Sequence, residues 1–185
     1  GDTAWTRRYN GPIDQGDSII GLVIDNNESI YVEGLVLGHH STAFETIKYD
    51  SAGALLWEKQ HDALAKDIPA GIAIDGSSNI YVLGTSYVGD PKDDLFTIKY
   101  NGATGDSLWA SSLNGFTSNS TDGAISCKVF EDTLYVCGFS LADTANGVKN
   151  FFVAKVNSGT GAKIWGTTTN GEGNGDDIPN AMVID

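Results

Sequence analysis

Basic residues are scarce in this chain: 11 Lys and Arg stand against 24 Asp and Glu, giving a formal charge of −13 and an isoelectric point near 4.3. A surface of that sign repels phosphate backbones and anionic lipid headgroups, so neither nucleic acid nor a charged membrane is an expected partner. Long apolar runs are missing as well: none approaches the ~18 residues of a membrane-crossing helix, and no insertion into a bilayer is expected. A basic segment followed by an apolar core, the mark of a signal peptide, is absent too, although a mature chain would not carry one. No segment sustains an apolar period of 3.6 residues, so no helix of consequence is predicted. Catalytic signatures are lacking: there is no G-x-S-x-G, no H-E-x-x-H and no Cys/His pair in a nucleophile's context. Acidic pairs abound, but a carboxylate dyad picked from so many carries no information. Cysteine is limited to Cys127 and Cys137.

What the chain has instead is an internal repeat, the feature to seek first in any sequence. Trp5, Trp57, Trp109 and Trp165 stand 52, 52 and 56 residues apart, and Asp17, Asp67, Asp122 and Asp177 stand 50, 55 and 55 apart. Tyr31, Tyr81 and Tyr135 each open a YVxG run, and Lys48, Lys99 and Lys155 sit in IKY, IKY and AKV. Within each unit lie four short runs rich in Val, Ile, Tyr, Phe, Trp and Thr, bounded by Gly, Asn, Asp and Ser, which is the strand signal. Unit two shows all four: GIAID, NIYVLGTS, LFTIKYN and SLWASSLN. Several first and second runs are apolar on both sides, which suits strands covered on each face by a neighbouring sheet. Four antiparallel strands per ~50 residues is the size of a propeller blade.

The pattern AIDGSSNIYVLGTS, then LFTIKY, then a Gly turn and LW, resembles the bacterial beta-propeller repeat called SBBP. The resemblance covers essentially the whole chain. It implies an all-β fold of four-stranded antiparallel blades, in a protein secreted or displayed on a bacterial surface, whose propellers are usually seven-bladed. About 3.5 blades are predicted: a last strand of a preceding blade in 1–10, blades in 17–61, 67–114 and 122–170, and a first strand of a further blade in 177–185. Both ends then fall inside a blade, so a fragment of a longer protein is expected, with self-association through the incomplete terminal blades as one consequence. The resemblance is nearly silent on activity.

Each repeated residue has a structural and a functional reading. A Trp at one exposed place would be a ligand platform; a Trp at the same place in every unit is better explained as a wedge between blades, burying ~150–250 Å² each. Each interblade Asp precedes an apolar strand, where its carboxylate can accept backbone N–H groups from the following turn. Calcium ligation is the alternative, and the recurrence in every copy favours the structural role. Gly34, Gly84 and Gly138 fall mid-strand, where Gly marks a bulge or the close approach of another backbone. If the first hairpin of unit three turns about Asp132, Cys127 and Cys137 face each other within reach of a disulfide. Otherwise they are two small buried hydrophobes.

Function is therefore expected where the copies differ, in the loops LGHHSTA, YVGDPKDD and LADTANGVKN. His39 and His40 are adjacent, which points their rings apart on extended chain and argues against zinc. Asp90, Asp93 and Asp94 beside Pro91 are acidic enough for weak calcium binding, and GEGNGDD (Gly171 to Asp177) lacks the strand-then-helix setting of a phosphate cradle. No cofactor is predicted. The expectation is a non-catalytic binding, display or scaffold module with a protein or glycan partner. A structural spacer is the alternative, and an enzyme built on a propeller is the more distant one.

Overall fold

The computed structural model describes the chain apart from residues 14–15, 38–40, 64–65, 88–92, 116–119, 144–146 and 174, and the side chains of 142 and 143. His39, His40, Asp90 and Pro91 lie outside the described residues. The repeat appears as three sheets, each an antiparallel meander of four strands. Sheet 1 holds β1 (Ser18–Ile24), β2 (Ile30–Leu37), β3 (Thr42–Tyr49) and β4 (Leu55–His61). Sheet 2 holds β5 (Ile68–Ile74), β6 (Ile80–Tyr87), β7 (Asp93–Tyr100) and β8 (Ser107–Leu113). Sheet 3 holds β9 (Asp122–Phe130), β10 (Thr133–Asp143), β11 (Val148–Asn157) and β12 (Lys163–Thr169). No helix occurs among the described residues, and none is long and apolar enough to cross a membrane.

The sheets stack face on face in chain order, as an open stack rather than a closed ring. One apolar layer lies between sheets 1 and 2, joining Tyr31 and Phe44 to Ile80, Val82, Ile98 and Tyr100. A second lies between sheets 2 and 3, joining Tyr81, Leu83 and Leu95 to Leu134, Val136 and Phe152. Sheet 2 is thus covered on both faces, which is why its inner strands read as near-continuous apolar runs. Each fully buried Leu, Val, Ile or Phe contributes about 1.5–3 kcal/mol, so the two layers are the main source of stability. The outer lanes are wetter: Leu55, Leu56, Leu108 and Ile164 are about half exposed.

Thr3–Asn10 and Ile178–Asp185, expected as end strands, form no strand here. A strand is defined by ladder partners, and neither segment pairs with another among the described residues.

The mid-strand glycines sit opposite bulges. The pairing shifts between Ile19 and Gly21, facing Gly34; between Pro69 and Gly71, facing Gly84; and between Cys137 and Gly138 itself. A Cβ on Gly138 would drive into the carbonyl of Gly123, and one on Gly84 into that of Ile68 and the ring of Phe44. Both a bulge and a close backbone approach are therefore present.

The first hairpins of sheets 1 and 2 turn through five residues between the pairs Ile24–Ile30 and Ile74–Ile80. Asp25 Oδ1 accepts from Asn27 N and Ser29 N, and Asp75 Oδ1 from Ser77 N and Asn79 N, each at 2.9 Å. Desolvation pushes the Asp75 carboxyl up, but the bonds from Asn79, Tyr81 and Ser77 outweigh it and hold the group below the ordinary carboxylate range. In sheet 3 four residues separate the equivalent pair Val129–Leu134, one fewer, and Phe130, which itself pairs with Thr133, stands where Asp25 and Asp75 stand. The shorter turn corrects the expected cysteine register. Cys127 pairs with Val136 and Cys137 with Ser126, so the two thiols project from opposite faces of the sheet and are free. A slip of one residue is enough to do this, because side chains alternate with period two.

Candidate functional site

The periodic residues come together where one sheet meets the next. Tyr31 Oη, Lys48 Nζ and Trp57 Nε1 converge on the carbonyl oxygen of Gly102, in the β7–β8 turn of sheet 2, at 3.2, 2.8 and 3.1 Å. One unit later, Tyr81 Oη, Lys99 Nζ and Trp109 Nε1 converge on Ser158 O, in the β11–β12 turn of sheet 3, at 3.5, 3.0 and 2.9 Å. Each tyrosine hydroxyl also lies 3.0 Å from the Asp25 or Asp75 carboxylate, so its single proton is shared between two acceptors. The lysines are nearly buried, with Nζ 4.9 and 4.8 Å from the tyrosine ring centroids. Cation–π attraction and a charge-assisted bond offset their desolvation.

The indole rings rest on glycines that take a left-handed backbone. A Cβ at Gly53, Gly105 or Gly161 would stand 2.6, 2.9 or 2.7 Å from the ring of Trp5, Trp57 or Trp109. Their φ angles of +79, +74 and +73° favour glycine on backbone grounds too. Trp5, Trp57 and Trp109 are therefore latches between neighbouring units. Trp165, the fourth copy, is 46% exposed. The spacing marked Tyr31, Tyr81, Lys48 and Lys99 as periodic, but nothing in a one-dimensional pattern reveals that they share an acceptor in the following unit.

Each interblade Asp closes the loop before it rather than the turn after it. Asp17, Asp67, Asp122 and Asp177 accept through Oδ2 from Gly11, Ala63, Gly115 and Gly171 N–H at 2.7–2.8 Å. Among the described residues no three His, Cys, Asp or Glu side chains gather where a metal ion could sit. Asp93 and Asp94 open β7, with Asp94 buried.

A site that sequence reasoning missed lies on the outward face of sheet 1. A groove of about 470 Å³ is floored by Ile30, Val32, Ile47 and Tyr49 and walled by Trp5, Arg7, Arg8 and Tyr9. Trp5 Nε1 donates to Ser51 O at 2.9 Å and Arg7 Nε to Gly53 O, so the Thr3–Asn10 segment is pinned along one side. Glu45, 3% exposed, lines the groove; desolvation and then the charge of Glu58 push its carboxyl up to about 7, against hydrogen bonds from Tyr9 and Gln60. Tyr9 is raised as well, first by burial and then by Glu45. The faint signal in the sequence was the outward-facing alternation of β2, which reads as core because it is apolar.

Residues 62–90 match the SBBP beta-propeller repeat family. The SBBP match runs from the loop before Asp67 through β5, the Asp75 turn and β6. The chain is also similar to the crystal structure of quinohemoprotein alcohol dehydrogenase from Comamonas testosteroni, at 16% identity and a TM-score of 0.46. That similarity covers 82% of this chain and 21% of the other, so this chain spans about a fifth of that protein's length. No curated protein matches.

Proposed function

We propose that the chain is a non-catalytic binding module of β-propeller type, carried outside the cell on a bacterial surface, and that its partner is protein. Sheets 1–3 are its blades, and Thr3–Asn10 and Ile178–Asp185 belong to partial blades on either side, about 3.5 in all. One observation carries the reading: among the described residues the repeated Tyr, Lys, Trp and Asp side chains are engaged in holding the scaffold, and the groove on sheet 1 is mostly apolar. Tyr31, Lys48 and Trp57 are spent on a turn carbonyl. Asp17 holds Gly11 N–H, and Glu45 is bonded by Tyr9 and Gln60, so the groove's carboxyls are not poised as an acid–base pair. The turn carboxylates of Asp25 and Asp75 are filled by N–H donors and offer little to calcium. Protein is favoured over glycan in this groove because Trp5 has its ring against Gly53 and its N–H on Ser51 O, so its indole is held by the scaffold. The SBBP resemblance supports the extracellular location.

The test is a peptide-library selection and a glycan array run side by side on the immobilised chain, each repeated with Val32→Asp. Peptide binders lost on Val32→Asp are expected. Glycan binding that survives the substitution would overturn the reading. Silence in both screens would overturn it in favour of a structural spacer.

A further inference from the structure

An Asn followed two residues later by Ser or Thr occurs twice in the chain, at Asn27-Glu28-Ser29 and at Asn119-Ser120-Thr121. With any residue but Pro between them, that spacing is the acceptor pattern of asparagine-linked glycosylation, a modification of surface segments in exported proteins. Only the first copy also has a carboxylate two residues ahead of the Asn: Asp25 stands there, whereas Thr117 precedes Asn119. Position 119 lies outside the described residues, but the Asn27 corner is described throughout. That corner departs from the repeat at the two residues that make the pattern. Sheet 2 has Ser77 and Asn79 where sheet 1 has Asn27 and Ser29, yet both corners fold alike, each with the two backbone N–H groups on an Asp Oδ1. The exchange removes a scaffold contact: Asn79 Nδ2 donates to Asp75 Oδ2 at 2.9 Å, a bond that Ser29 does not make to Asp25 among the described residues. Glu28 takes a left-handed backbone, φ +61°, as Ser78 does at +62°. Asn26, Asn27 and Glu28 are exposed, so the Asn27 carboxamide stands in solvent at the tip of the turn. Ser29, 8% exposed, is tucked beneath it with its N–H on Asp25.

We propose that Asn27 is a site of asparagine-linked glycosylation, by a transferase that reads a carboxylate two residues before the Asn and a hydroxyl two residues after it. The inference rests on the extracellular location proposed above and is independent of what the groove binds. The co-substrate is an oligosaccharide carried on a lipid pyrophosphate. The Asn27 carboxamide nitrogen bonds to C1 of the first sugar while the C1–O bond to the pyrophosphate breaks. The electron pair of that bond leaves with the lipid pyrophosphate, and the nitrogen gives up one proton to a base on the transferase. Fold and transferase compete for the same groups. In the closed corner Asp25 holds Asn27 N and Ser29 N through Oδ1 and Tyr31 Oη through Oδ2, and Ser29 is buried. Transfer therefore precedes closure of the corner, and the finished fold carries the glycan outward, clear of both apolar layers.

The test offers two acceptors to a bacterial oligosaccharyltransferase and its lipid-pyrophosphate oligosaccharide: the synthetic peptide IDNNESI, residues 24–30, and the whole folded chain. Transfer is read by mass. The peptide is expected to be glycosylated, and the folded chain about 10-fold more slowly, since its corner must first open against the Asp25 cap. Peptides with Asn27→Gln, Ser29→Ala or Asp25→Asn should take no glycan, whereas Asp25→Glu and Ser29→Thr should keep the reaction. A peptide of residues 115–123, centred on Asn119, should take none for want of the carboxylate. These changes lie in peptides, so no result depends on a variant chain folding. The native protein is then recovered from its source cells and digested with trypsin, and fragment 9–48 should carry the added mass on Asn27. An unmodified peptide, or transfer indifferent to Asp25→Asn, would overturn the proposal. So would a bare 9–48 fragment from protein that surface labelling finds outside the cell, in which case the extracellular reading stands. Equal rates for peptide and folded chain would overturn the order of transfer before folding. Protein confined to the cell interior would overturn the extracellular reading and this inference together.

Discussion

Glu33 occupies the position held by Leu83 in sheet 2 and Cys137 in sheet 3, directly after the Tyr-Val of each YVxG run. It is wholly buried between sheets 1 and 2; its Oε2 accepts from Thr46 Oγ1 at 3.0 Å, and among the described residues no partner reaches Oε1. Desolvation therefore drives its carboxyl well above the ordinary value of 4.5, with the Thr46 bond opposing and the Glu45 charge reinforcing. The folded form holds its proton more tightly than the unfolded form. The associated stability is thus fully present below about pH 4.5 and is lost as pH rises towards the folded value. Glu45, held up to about 7, acts in the same direction over pH 4.5–7. Glu33→Leu is expected to stabilise the chain, because sheet 2 already packs Leu83 opposite Thr97 at the same place. The gain should be about 1–3 kcal/mol at pH 8 and smaller at pH 4, read from urea unfolding at both values. An equal gain at the two values would show that burial of the ionised form is not the cause.

At the scale of the strand and turn, the short polar corners decide which face each side chain meets. The five-residue corners of sheets 1 and 2 are wound around an Asp that binds two backbone N–H groups and reaches a tyrosine hydroxyl. Asp75→Ala should therefore cost about 1–2 kcal/mol, the range of a lost local cap. Asp132→Ala, in the shorter corner, lends its carbonyl rather than its side chain to Ser158 Oγ and should cost much less. Chemical denaturation of the two variants compares them directly. Most of the strand plan was legible because Val, Ile, Tyr and Phe clusters and the Asp, Asn and Gly between them act locally. The cysteine register was not, because it hangs on one deleted residue in the β9–β10 turn, and assuming a corner of the earlier length reverses every side chain beyond it. Thr3–Asn10 carries strand residues but has no ladder partner among the described residues, so it forms no strand here. The groove was hidden because an apolar face without its cover reads in sequence like an apolar face with one.

For the molecule as a whole, a stack in which each sheet touches only its neighbours behaves as a one-dimensional array, with stability summed from units and interfaces. Sheet 2 has two interfaces, whereas sheets 1 and 3 have one each, and the exposure follows. β6 and β7 are buried almost throughout, while β12 is exposed along nearly its whole length and β1 along most of it. Amide hydrogen exchange should accordingly be slowest in β6 and β7 and fastest in β1, β4 and β12, since local opening scales with buried contact. The latch between sheets 1 and 2 gives this a directional test. Trp57→Ala removes the indole from Tyr31, Tyr100 and Gly102 O at a cost of about 3–5 kcal/mol. Sheet 1 has no other full interface to fall back on, so β1–β4 should lose most of their protection. β9–β12, held to sheet 2 by the separate Trp109 latch at Ser158, should keep theirs. Uniform loss across all twelve strands would mean that the three sheets unfold as one unit and that the latches do not divide them.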